Sequence, residues 1–95
     1  MASLKSLKKD IDYLFFELIS DCFMFTSLHD GPKKAEVQDL IEEAVAMRNE
    51  FIDRANPPDG KDNPVIVRQY YGSLRKDLFE KVNGYFERLS AISKQ

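Results

Sequence analysis

The chain has 95 residues, of which 43% are hydrophobic and 32% charged, so it is long enough for one domain with a core and too apolar for a disordered segment. Its 14 basic and 16 acidic residues give a net charge of −2, which argues against a nucleic-acid-binding surface. Acidic residues interrupt the apolar run near the N-terminus, so the sequence predicts neither a signal peptide nor a membrane span, and a cytoplasmic location is expected.

The first predicted helix covers about residues 3–29. Its apolar side chains recur at spacings of three and four, which places them on one side of an α-helix: Leu4, Leu7, Ile11, Leu14, Leu18, Cys22 and Phe25. Cys22 is the single cysteine, so it cannot form an internal disulfide and is expected to be buried as a small apolar residue. His29, at the last turn, is expected to cap the helix or lie at the edge of the core.

A second apolar group lies on the opposite side of this helix, because successive residues are about 100° apart. We call this group the outer face of the first helix; it consists of Tyr13, Phe16, Phe23 and Met24, interleaved with Ser20 and Ser27. If exposed, these side chains form an apolar patch of several hundred Å², a size that marks interaction surfaces. Burial of the outer face between the other two helices is the alternative.

Asp30-Gly31-Pro32 predicts the end of the first helix and the start of the second, because Gly suits the position after a helix and Pro the first position within one. The second helix is predicted over about residues 32–55, with one apolar and one polar side. Residues 56–63 form the predicted loop, since Pro57 and Pro58 cannot continue a helix.

Asn63 and Pro64 have the residue types of a helix N-cap and a first helical position, so a third helix is predicted over about residues 64–93. Gly72 and Gly84 each cost about 1 kcal/mol relative to Ala inside a helix, but the apolar period continues in phase past both. One continuous helix is therefore favoured over a break at Asn83-Gly84, and a kink at either glycine stays open.

Three helices joined by short links predict an all-α fold: a single domain over residues 1–95 that forms an elongated antiparallel three-helix bundle of up-down-up topology. A thin bundle has a small core per residue, so an added layer from a second chain would stabilise it. The main functional hypothesis is a non-catalytic protein-interaction or structural module without a cofactor. Its expected partner is a second copy, forming a homodimer through the outer face, or another helical protein.

A different hypothesis is a Mg²⁺- or Mn²⁺-dependent phosphate-ester or nucleotide hydrolase. Its ligands would be four carboxylates of the first two helices: Glu17, Asp21, Glu50 and Asp53. Glu50-x-x-Asp53 resembles one half of the metal site of all-helical nucleotide pyrophosphohydrolases. The other half would have to come from Glu42 and Glu43 on the same helix, where the ligands could not face each other. At least three carboxyl groups must converge for this hypothesis to hold.

A further hypothesis is a small-anion-binding adaptor. Arg48 and Arg75 lie within or beside the apolar sides of their helices, and Arg48 is expected level with Tyr71, where it could stack on that ring or on Tyr70, or reach Glu17. The plainer interpretation is an arginine whose aliphatic stem covers the edge of the core. The sequence contains no Gly-rich phosphate loop and no Ser/His/Asp arrangement, so it does not favour an enzymatic function.

Two segments carry a resemblance to known proteins: Leu-Lys-Lys-Asp-Ile-Asp-Tyr, starting at Leu7, and Lys-Asp-Leu-Phe-Glu-Lys-Val, starting at Lys76. In these segments and in its general pattern, the chain resembles small helical proteins of Bacteroidetes-type genomes that have no assigned activity. The resemblance therefore transfers no function to a named residue.

Overall fold

The computed structural model describes residues 4–56 and 63–95. They form three helices, α1 (Leu4–Leu28), α2 (Pro32–Arg54) and α3 (Pro64–Ser93), which pack against one another. The helices extend along a body of 52 × 20 × 17 Å, so the predicted all-α, elongated three-helix bundle is confirmed. Of the predicted loop, residues 57–62 lie outside the described residues.

Local sequence signals account for the helix ends. Gly31 has a φ of 82°, a backbone conformation that L side chains rarely adopt, and Pro32 follows it at the start of α2. At the start of α3, the Asn63 side chain accepts hydrogen bonds from the backbone N–H groups of Val65 at 3.0 Å and Ile66 at 3.3 Å, as predicted for an N-cap. α3 then runs unbroken through Gly72 and Gly84.

The core lies along the common axis of the three helices. Its fully buried side chains include Leu7, Ile11, Phe15, Leu18, Val37, Leu40, Phe51, Leu74 and Leu78. The rings of Phe15 and Phe51 pack with their centroids 6.1 Å apart, linking α1 to α2. Cys22 is also fully buried, as predicted, and loss of hydration together with the nearby Asp21 charge raises the pKa of its thiol to about 11.

Ion pairs between helices establish the direction of the chain. The four pairs are Asp12–Arg48 at 2.6 Å, Asp10–Arg75 at 2.9 Å, Arg54–Asp77 at 2.8 Å and Glu43–Arg88 at 2.6 Å. From Glu43–Arg88 to Arg54–Asp77 the residue numbers rise along α2 and fall along α3, so these two helices are antiparallel. Asp12–Arg48, together with the hydrogen bond from Lys8 to the Asn56 side chain at 3.2 Å, shows the same for α1 and α2, so α1 and α3 are parallel. This is the predicted up-down-up topology. Each pair is partly exposed, so it contributes at most about 1 kcal/mol.

Candidate interaction surface on the first helix

The outer face of α1 is exposed. Relative solvent exposure is 63% for Tyr13, 69% for Phe16, 58% for Phe23 and 64% for Met24. The opposite side of the same helix is buried, with Phe15 only 1% exposed. The alternative prediction, burial of the outer face between the other two helices, is therefore wrong. Both α2 and α3 pack on the opposite side of α1.

The outer face has the spacing of a helix–helix seam. Positions 13, 16, 20, 23 and 27 alternate steps of three and four residues, which is the pattern that keeps one stripe facing a partner helix. The Ser27 hydroxyl donates to the backbone carbonyl of Met24 at 2.8 Å, so its hydrogen bond is made within α1. Covering this serine would thus not leave its hydroxyl proton unpaired.

A groove between α1 and α2 extends the outer face sideways. Its volume is about 600 Å³, and its apolar walls include Tyr13, Phe16, Ile19 and Val45. Val45 is 44% exposed, and the sequence did not single it out because it lies away from the apolar side of α2. Taking 150–250 Å² per aromatic side chain and these exposed fractions, the apolar surface amounts to roughly 500 Å², near the upper end for a patch on a monomer.

The predicted anion-site residues occupy separate places. Arg48 donates to Asp12 through Nε at 2.8 Å and to the Asn49 side chain at 3.0 Å, so its contacts are not with Glu17 or the tyrosine rings. Arg75 donates to Asp10 at 2.9 Å. Asp10 and Asp12 are two residues apart on α1, so their side chains point in directions about 200° apart. Their partners, Arg75 and Arg48, therefore lie on opposite flanks of α1. The structure does not bring them into one site.

Tyr71, the third residue of the predicted anion site, has a different contact. Its hydroxyl donates to the backbone carbonyl of Ala55 at 3.2 Å, and the neighbouring Tyr70 hydroxyl donates to that of Arg54 at 2.6 Å. The last carbonyls of a helix have no partner within the helix, so these two tyrosines of α3 cap the end of α2. No local signal in the sequence indicated this contact.

The predicted metal ligands do not converge. Within residues 4–56 and 63–95, no group of three or more His, Cys, Asp or Glu side chains is arranged to hold a metal ion. Glu50 lines a groove between α2 and α3, whereas Glu17 and Asp21 belong to α1, and Asp53 is exposed on α2. The geometric requirement set for the metal-dependent hydrolase is not met by these four carboxylates.

The groove between α2 and α3 has a volume of about 610 Å³ and a different chemical character. The Arg54–Asp77 and Glu43–Arg88 pairs cross it, so much of its charge is neutralised within the bundle. The hydrogen bond from Arg88 lowers the pKa of Glu43, and burial raises the pKa of the Tyr85 phenol between them. These contacts join the two helices.

His29 lies directly after the end of α1. Its ring stacks on Phe25, with centroids 4.1 Å apart and an angle of 20° between the planes. Since Phe25 belongs to the buried side of α1, this contact agrees with the prediction of a histidine at the edge of the core.

The geometry of residues 4–56 and 63–95 defines an all-α, elongated three-helix bundle in which the outer face of α1 is uncovered. No helix within the described residues is long and apolar enough to span a membrane. Comparison with protein-family models, curated proteins and solved structures gave no match. The resemblance to small helical proteins of Bacteroidetes-type genomes therefore stays a prediction.

Proposed function

We propose that the chain is a non-catalytic protein-interaction or structural module that self-associates as a homodimer through the outer face of α1. The observation that carries this proposal is the exposure of Tyr13, Phe16, Phe23 and Met24, each between 58% and 69%, on a single helix face. Removing apolar surface from water is favourable by about 25 cal/mol per Å², which is the driving force for covering such a face.

The size of the surface supports a second copy as its partner. Two copies that face each other cover roughly twice 500 Å², and contacts at the rim bring the total near the lower end for specific interfaces, about 1,200 Å². A two-fold arrangement uses the same patch on both chains, so each copy supplies the apolar surface that the other needs. Weak and transient complexes lie at this end of the size range.

The two other functions have less support. Glu17, Asp21, Glu50 and Asp53 are distributed over separate surfaces, so they offer no shared cation site for a hydrolase. For an anion-binding adaptor, Arg48 and Arg75 would first have to leave Asp12 and Asp10, with which they already form ion pairs.

Light scattering coupled to size-exclusion chromatography tests the proposal. We expect the mass of the wild-type chain to rise from 11.0 kDa towards twice that value as concentration increases from low to high micromolar. The double variant Phe16→Ser/Phe23→Ser should stay monomeric at every concentration, with unchanged helix content by circular dichroism.

The matched control is Phe79→Ser, the same substitution at a 50% exposed phenylalanine on α3. It should dimerise as the wild type does if the outer face of α1 forms the interface. A wild-type chain that remains a monomer at high micromolar concentration contradicts the proposal, and so does loss of the dimer in the control variant alone.

A further inference from the structure

The proposed self-association leaves the relative direction of the two chains open. We infer that the two α1 helices pair antiparallel, with Phe16 and Phe23 of one copy opposite Ser27 and Ser20 of the other. This inference rests on the proposed homodimer and specifies its geometry.

The alternation of large and small residues carries the argument. Along the seam positions of the outer face, the residues are Tyr13, Phe16, Ser20, Phe23 and Ser27. In a parallel pair with a two-fold axis along the helices, every residue faces its own copy, so phenylalanine would meet phenylalanine and serine would meet serine. Layers of that kind alternate between overcrowding and empty space, whereas protein interfaces pack at nearly uniform density.

An antiparallel pair removes this conflict. When the two-fold axis passes between Ser20 and Phe23, both phenylalanines of each copy face a serine of the other, and each layer holds one large and one small side chain. Tyr13 then lies level with Asp30 of the second copy, at the end of its helix, where the phenol hydroxyl can remain in water.

The same two-fold axis also determines where the other helices lie. An axis perpendicular to the plane of the two α1 helices keeps both copies of α2 on one side of that plane and both copies of α3 on the other. The grooves between α1 and α2, with Val45 at their edge, therefore open on the same side of the dimer. The dimer would have three layers, with the central α1 pair between the two copies of α2 and the two copies of α3.

Chemical cross-linking of variants that each carry one added cysteine tests the direction. In the antiparallel pair, the two copies of Ser20 differ in height by three residues, or about 4.5 Å, and the two copies of Ser27 by eleven residues, or about 16.5 Å. A short bis-maleimide should therefore cross-link Ser20→Cys at least tenfold faster than Ser27→Cys. The native chain is the control, because its Cys22 is fully buried and should give no cross-link.

The outcomes separate the direction from the self-association itself. Equal cross-linking of both variants, in samples that light scattering shows to be dimeric, would overturn the antiparallel pairing and leave the homodimer in place. Cross-linking of neither variant in a dimeric sample would also overturn it, because the interface would then lie elsewhere. A chain that is monomeric by light scattering fails at the earlier step, so both proposals would fall together.

Discussion

Phe15 and Phe16 are neighbours in the chain and face opposite environments, so the same substitution at the two positions should have different consequences. Phe15 is 1% exposed and packs on Phe51, whereas Phe16 is 69% exposed. Truncating a buried phenylalanine to alanine costs about 3–5 kcal/mol, a large part of the total stability of about 5–15 kcal/mol of a small domain. Phe16→Ala in the isolated monomer should change stability by at most about 0.5 kcal/mol.

Varying the protein concentration measures the contribution of Phe16 to dimerisation separately from its contribution to the stability of the monomer. If the wild type dimerises, its stability should increase with protein concentration, by about 1.4 kcal/mol at ten times the dissociation constant. Phe16→Ala should lose that increase because it removes the side chain at the interface, and Phe15→Ala should retain it wherever the variant is folded.

Urea denaturation followed by circular dichroism, at low and at high micromolar protein, measures both effects. The reasoning would be refuted if Phe16→Ala cost as much as Phe15→Ala in dilute solution. That result would mean that α1 is rotated and that Phe16 is a core residue.

Three further predictions concern the ends and the core of the bundle. Asn63→Ala should lower the free energy of unfolding by about 1 kcal/mol because α3 loses its N-cap, whereas Asn63→Asp should retain most of it; urea denaturation of both variants checks this. Tyr70→Phe should cost about 1 kcal/mol, because the carbonyl of Arg54 loses its hydrogen bond, and an effect below the error of the same measurement would contradict the capping role. The raised thiol pKa of Cys22 means that its contribution to stability is complete below pH 9.0 and is lost as pH rises towards about 11, because the unfolded thiol ionises first. Wild type should therefore lose stability between these pH values more steeply than Cys22→Ala, and parallel pH profiles would contradict this.

Apolar periodicity in the sequence was enough to predict much of the candidate surface. Phe16 and Phe23 lie on the side of α1 opposite Leu18 and Cys22, and the structure exposes the first pair and buries the second. This prediction needs only the angle between successive residues of a helix. Periodicity did not predict the exposure of Val45 on this surface, since the groove to which Val45 belongs exists only where α2 lies beside α1.

The sequence by itself determined the three helices, their ends and the side of each that enters the core, because helical hydrogen bonds, caps and apolar periodicity are local properties of the chain. Only the tertiary structure decided which polar groups meet. Arg48 pairs with Asp12, and Tyr70 and Tyr71 cap the end of α2. These contacts depend on the axial offset and rotation of each helix against its neighbours, and a shift of one helical turn, about 5.4 Å, is enough to exchange one partner for another.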